Sequence, residues 1–150
     1  FKSPPATAAP FVEIAVEPET GQIDVERLLM VVDCGRVINP LTAAGQVEGG
    51  MAQALGFALS ENMEFDEEGH QVNARLGPYR VYMADEMPVM DVIFVQTDEP
   101  NGPFGAKSIG EIGIDGVGPA MVSAVHNATG TWIRELPLYP ERVWRALNEA

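Results

Sequence analysis

One carboxylate in this chain stands in a setting that could do chemistry. Glu111 lies in the stretch Asn101-Gly102-Pro103-Phe104-Gly105-Ala106-Lys107-Ser108-Ile109-Gly110-Glu111-Ile112-Gly113, flanked by Gly110 and Gly113 in an otherwise apolar context. Glycines there let the backbone fold tightly and approach a bound group closely. The stretch invites a phosphate-loop reading that its spacing refuses. No glycine directly precedes Lys107, and Gly116-Val117-Gly118 lacks the third glycine of the dinucleotide fingerprint. Lys107 could face a substrate carboxylate or a cofactor phosphate, although a loop lysine is more often solvated. Cys34, His70 and His126 share no ligand spacing, so no metal held by protein side chains is expected. Arg75, Tyr79 and Arg80 could line a substrate entrance or equally pair with the many acids, and they stay unassigned. On residue types alone, the commoner reading of Glu111 is a solvated glutamate in a surface loop.

The elements that would position these groups follow from periodicity. Val12, Ile14 and Val16 alternate with Glu13 and Glu17 over Phe11 to Glu17, as a half-buried strand requires. After a turn at Pro18-Glu19-Thr20-Gly21, a second strand alternates at Ile23 and Val25 and becomes continuously apolar from Leu28 to Val32. It therefore runs from a sheet edge into a sheet covered on both faces. Val47, Met51, Leu55 and Ala58 recur at helical spacing between Thr42, read as the N-cap, and Glu61. Gly45, Gly49, Gly50, Ala52, Ala54 and Gly56 weaken that helix intrinsically, so another backbone or a ligand should come close to its surface. A polar hairpin over Asn62 to Asn73 and a strand over Val89 to Thr97 follow. Next comes a short helix with Pro119 at its first position and Gly130 just past its end. A strand over Thr131 to Leu136 and a final helix opened by Pro140, with Val143, Trp144 and Leu147 as its stripe, close the chain. The expected class is α+β: a mixed, largely antiparallel sheet with about three helices packed on it.

Composition sets outer bounds. The 150 residues fit one domain, 1–150. Nine Lys plus Arg against 22 Asp plus Glu give a net charge of −13, which argues against nucleic acid as a partner. No apolar run approaches the roughly 20 residues needed to span a bilayer, so no membrane partner is expected. The single cysteine, Cys34, fits a reducing compartment and would also fit a secreted protein without bridges, with the cytoplasm as the default. Residues 1–10, rich in Pro and Ala and without an initiator Met, read as an extended or disordered start cut through a longer chain.

Two segments resemble a specific family. Val31-Val32-Asp33-Cys34-Gly35-Arg36-Val37-Ile38-Asn39-Pro40 leading into Gly45-Gln46-Val47-Glu48-Gly49-Gly50, and Gly105-Ala106-Lys107-Ser108-Ile109-Gly110-Glu111, are similar in order and separation to the C-terminal signature of the molybdenum hydroxylase large subunit. This is the xanthine dehydrogenase and aldehyde oxidase family. The likeness extends through Arg134-Glu135-Leu136-Pro137 and Pro140-Glu141-Arg142-Val143, and so covers nearly the whole chain.

The resemblance implies that Glu111 is the family's active-site glutamate, a general base beside the molybdenum acting on a metal-bound hydroxyl, and that hydride passes to a terminal sulfide. It also implies that Gln46 approaches the metal centre and pterin, where an amide can donate and accept, with Gly110 at the cofactor as well. By the same resemblance the complete enzyme oxidises N-heterocycles of the xanthine type or aldehydes with water, using a molybdenum–molybdopterin cofactor, here inclined to the cytosine dinucleotide form. FAD and 2Fe-2S groups sit on other segments or subunits. The expected partners are the upstream part of the large subunit, the iron–sulfur and FAD subunits, and a small-molecule substrate. Self-association through apolar surface left uncovered is a further expectation. Alone, the chain is expected to be inactive and to bind no cofactor. The alternative keeps the fold and makes it a non-catalytic acidic interaction or assembly module in which Glu111 is incidental.

Overall fold

In the computed structural model, which describes residues 4–149, three strands form one sheet in the order β1-β2-β3. β1 (Thr7–Glu17) and β2 (Gln22–Asp33) are antiparallel, whereas β3 (Val89–Phe94) runs parallel to β2. The sheet is therefore mixed, as expected, and three helices accompany it. β1 begins at Thr7, within the segment read as extended or disordered, and residues 1–3 lie outside the described part.

The register explains why β2 looks apolar throughout. Val12, Pro10 and Ala8 of β1 pair with Leu28, Met30 and Val32, which pair in turn with Met90, Val92 and Phe94 of β3. All of these share the inner face. Between Glu13 and Ile14 the register shifts, so that Ile14 and Val16 face Val25 and Ile23. A bulge of this kind resets the parity of the strand: without it, Ile23 and Val25 would point away from Leu28 and Met30. The outer face is only partly covered by this chain, and Phe11, Val89 and Ile93 on it are more than half exposed. The expected cover on both faces is thus present here on one.

The inner face packs on α1 (Pro40–Leu59) and α2 (Val117–Thr129). Val47, Met51, Leu55 and Ala58 of α1 are fully buried with Leu28, Met30, Val32, Met121 and Val125, as the periodicity predicts. Each large side chain removed from water here contributes about 1.5–3 kcal/mol. The N-cap of α1 is Asn39, not Thr42. Asn39 Oδ1 accepts from the N–H groups of Leu41 (3.1 Å) and Thr42 (3.3 Å), and Pro40 fills the first position, where no N–H is needed. α2 also starts earlier than expected, at Val117, and Pro119 stands inside its first turn. Gly130 closes it in the left-handed conformation (φ 79°).

α3 (Pro140–Asn148) sits on the β1–β2 turn, where a Cβ at Gly21 would lie 2.1 Å from Pro140 O. Only Val143 of its expected stripe is fully buried, and Trp144 is exposed. No strand forms over Thr131 to Leu136. Ile133 is buried there, but Trp132 turns back to stack on His126 of α2 at 4.0 Å, and the alternation is satisfied by helix packing with no ladder alongside.

The polar hairpin is present as a short turn, with Val72 N donating to Glu64 O (2.8 Å) and Asp66 N to His70 O (3.0 Å). Buried Asn73 holds its base by donating to Asn62 O at 2.7 Å. Among the described residues, no helix is long and apolar enough to cross a membrane.

Candidate functional site

The two sequence segments of interest meet at the junction of β2, α1 and the loop between β3 and α2. β2 ends at Asp33, and a short antiparallel contact between Gly35 and Ala106 carries the loop along it. Lys107 N donates to Cys34 O (2.7 Å) and Arg36 N to Gly105 O (2.8 Å). Gly35 has φ +69°, and a Cβ there would lie 2.4 Å from Gly105 O, so only glycine allows this approach. Further on, the loop lies against α1. A Cβ at Gly50 would come within 2.8 Å of the Gly113 carbonyl carbon, and one at Gly113 within 2.7 Å of Val47 O. Between these two anchorages, Gln46 Nε2 donates to Gly110 O at 2.6 Å.

The expectation that small residues on α1 admit a close neighbour is therefore met at Gly50 by the backbone of Gly113. Gly45 and Gly49 are different. A Cβ at either would meet nothing within 4 Å among the described residues, and both leave bare backbone on the exposed helix surface near Gln46. Gly110 is likewise open. A cavity of about 520 Å³ lies between the segments, lined among others by Arg36, Ile38, Thr42, Gln46, Ile109 and Gly110. It combines apolar residues with Arg36 and Gln46, residue types suited to a polar heterocycle with an anionic substituent.

Gln46 and Gly110 are thus in contact, and Glu111 follows directly. Its side chain is exposed and makes no hydrogen bond among the described residues; its neighbourhood is set by backbone, with Ile114 N donating to Glu111 O at 3.0 Å. A second cavity of about 540 Å³, lined by Asp24, Arg80, Tyr82, Glu86, Leu138 and Tyr139, contains none of these three residues. Arg80 there is paired with Glu86, and Tyr79 donates to Glu61 Oε2 at 2.6 Å, so both are engaged by acids. At the hairpin turn, Asp66, Glu68 and His70 bring their ligand atoms within 4.8 Å of one another, but Asp66 Oδ1 already accepts the backbone N–H groups of Glu68 and His70.

Lys107 is neither solvated nor aimed into the open. Its Nζ lies 2.8 Å from Asp33 Oδ2, with side chains only 13% and 21% exposed. Asp33 Oδ1 meanwhile accepts from Gly35 N (2.8 Å) and from the Thr97 hydroxyl (2.7 Å). The Lys107 ammonium, the Gly35 N–H and the Thr97 hydroxyl together hold the Asp33 carboxyl at about 2, below its ordinary 3.8. Because the folded value is the lower one, this group stabilises the fold in full above 3.8 and the contribution is lost as pH falls through about 2. Acid unfolding followed by circular dichroism is expected to contain a component in that window that Asp33→Asn removes; an unchanged acid profile in the variant would contradict it. Burial pushes the neighbouring Cys34 thiol up, so it stands as an inert core group. Thr97, and the joining of Asp33 to Lys107, escape the sequence reading because nothing in spacing links positions 33, 97 and 107.

Comparison with known proteins gives a consistent neighbourhood. A family model described as a molybdopterin cofactor-binding domain matches residues 2–88. The aldehyde oxidoreductase molybdenum-binding subunit PaoC of Escherichia coli is 40% identical over 133 residues, covering 87% of this chain and 18% of that protein. The xanthine dehydrogenase molybdenum-binding subunit of Escherichia coli O157:H7 is 38% identical over 149 residues, 99% of this chain and 20% of the relative. The crystal structure of the aldehyde oxidoreductase from Desulfovibrio desulfuricans superposes with a TM-score of 0.87 at 34% identity, over 95% of this chain and 15% of that one. The chain thus spans about a fifth or less of the length of these relatives.

Proposed function

Because the chain belongs to the molybdopterin cofactor-binding domain family, the domain carried by molybdenum-binding subunits of xanthine dehydrogenases and aldehyde oxidoreductases, we propose that it supplies the base-bearing wall of a molybdenum hydroxylase active site. The observation that carries this reading is the 2.6 Å bond from Gln46 to Gly110, which unites two segments 64 residues apart beside the cavity. The residue types present fit the cofactor: Gln46 and Arg36 at the cavity, and bare backbone at Gly45, Gly49 and Gly110, where a Cβ would occupy open space.

When bound, the molybdenum cofactor supplies two-electron oxidation of a substrate carbon. The chain's own residues do the rest. Gln46, its Nε2 committed to Gly110, is held in one orientation and leaves its carbonyl oxygen to accept from a pterin donor. Arg36 offers a cation for the pterin's phosphate. Glu111, one residue past the anchored carbonyl, takes the proton from the oxygen that attacks the substrate. Its exposure in this chain supports a face completed by other parts of the subunit, whose water-excluding walls would sharpen the base. The bare apolar outer face of the sheet, with Phe11, Val89 and Ile93, supports the same dependence on a cover. The substrates proposed are N-heterocycles or aldehydes, with electrons leaving through iron–sulfur and FAD groups on other segments or subunits.

The lack of any partner for the Glu111 carboxylate among the described residues also favours the second reading, a non-catalytic assembly module. The Glu111→Gln variant of the complete subunit separates them. The proposed base requires that turnover be lost while molybdenum content is kept; unaltered turnover leaves the assembly reading standing.

A further inference from the structure

We propose that Asp33 and Lys107, keyed by Thr97 and Gly35, form a positioning clamp that sets the loop from Gly105 to Gly113 against Gln46 and thereby aims Glu111. This deepens the proposed function and rests on it. The geometry has three parts. Both oxygens of Asp33 are in use, Oδ2 with Lys107 Nζ at 2.8 Å and Oδ1 with Gly35 N and Thr97 Oγ1. The carboxylate therefore joins three chain segments: the end of β2, the strand exit after β3, and the loop. Lys107 is doubly held, by its ammonium and by its own N–H on Cys34 O at 2.7 Å. Three residues later, Gly110 O is fixed by Gln46. The chain is thus fixed at Lys107 and again at Gly110, and the proposed base, Glu111, follows the second fixed point directly.

The pair acts through geometry as well as through the acid-dependent stability that Asp33 carries. The two side chains are mostly removed from solvent, and an ion pair so placed offsets its desolvation only when the geometry is good, so its demand on geometry is strict. In a chain with only nine Lys plus Arg, one is withdrawn from solvent and set on a carboxylate at the base of the loop. A displacement of about 1 Å at a reacting group can cost about a hundredfold in rate, so a clamp four residues before the proposed base has leverage.

The test uses the complete molybdenum-loaded subunit with Lys107→Met, Lys107→Arg and Asp33→Asn. Asp33→Asn keeps an oxygen for Gly35 and Thr97 but turns an amide N–H2 toward Lys107, so it opens the clamp without removing the turn, and it serves if Lys107→Met fails to fold. The expected result is kcat per molybdenum lowered at least tenfold with substrate KM within about threefold, faster hydrogen exchange confined to residues 105–113, and partial recovery in Lys107→Arg. Unchanged exchange over 105–113 in Lys107→Met and Asp33→Asn overturns the clamp, as does faster exchange with kcat per molybdenum intact in a subunit that does need Glu111. If Glu111→Gln, run in parallel, keeps full turnover, the catalytic reading fails, and exchange over 105–113 alone then decides whether the clamp holds the loop.

Discussion

Replacing Glu111 by Gln in the complete molybdenum-binding subunit is expected to lower kcat by two to four orders of magnitude. The two side chains have the same reach and nearly the same volume, and both can accept a hydrogen bond, so binding and fold should survive. What the amide cannot do is take a proton. A positioned general base contributes about 10²–10⁴-fold, which corresponds to roughly 3–5 kcal/mol of barrier. Because the carboxylate is exposed and forms no hydrogen bond among the described residues, there is little for the substitution to disturb elsewhere. Steady-state turnover normalised to molybdenum content is the appropriate measurement. A loss under about threefold would mean that proton transfer does not pass through Glu111.

Gly50→Val is expected to have the next largest effect. Gly50 is buried where α1 meets the loop, and an added Cβ would stand 2.8–2.9 Å from the carbonyl carbon and Cα of Gly113 and 3.1 Å from Ile114 N. These are backbone atoms, so no side chain can swing aside. Either the loop or the helix must shift. Overpacking of this kind costs about 1–3 kcal/mol, and two further methyl groups put valine at the upper end. Gain in helix propensity recovers well under 1 kcal/mol. The shift also draws Gly110 away from Gln46, so kcat should fall along with the unfolding temperature. Gly49→Ala is the control for packing, read in unfolding alone because Gly49 belongs to the face proposed for the cofactor. Its Cβ would meet nothing within 4 Å among the described residues, and alanine in a helix interior is about 0.5–1 kcal/mol better than glycine. Thermal unfolding of the two variants should therefore move in opposite directions, and equal midpoints would contradict the packing described.

Much of the fold is legible in the sequence because burial imposes periodicity. The α1 stripe Val47, Met51, Leu55 and Ala58 is fully buried as read, and Gly130 ends α2 for the conformational reason expected of it. The misreadings have specific causes. Asn39-Pro40 is both a turn signal and a helix start, and the Asn39 side chain decides for the latter by capping Leu41 and Thr42. In β2, Ile23 and Val25 occupy odd positions while Leu28, Met30 and Val32 occupy even ones. That change of parity is the mark of the bulge, while the continuous run from Leu28 to Val32 gives the sheet an apolar outer face that the described residues leave partly bare. Thr131 to Leu136 alternates without a partner strand beside it, a long-range fact that local pattern does not contain. At the site, Gln46, Gly110 and Glu111 stand out through their motifs, but the Asp33–Lys107–Thr97 cluster does not, since Thr97 and Lys107 lie 64 and 74 residues from Asp33 and owe their meeting with it to the parallel pairing of β3 with β2.

The central claim is that the molybdenum cofactor lies against the face formed by Gln46, Gly110 and Glu111. Its most direct test is the anomalous scattering of molybdenum in crystals of the complete, loaded subunit. The expected result is a single metal peak beside the cavity lined by Arg36, Gln46 and Gly110, with Glu111 facing it. A peak on any other face, such as beside the cavity of Tyr82 and Tyr139, would contradict the claim.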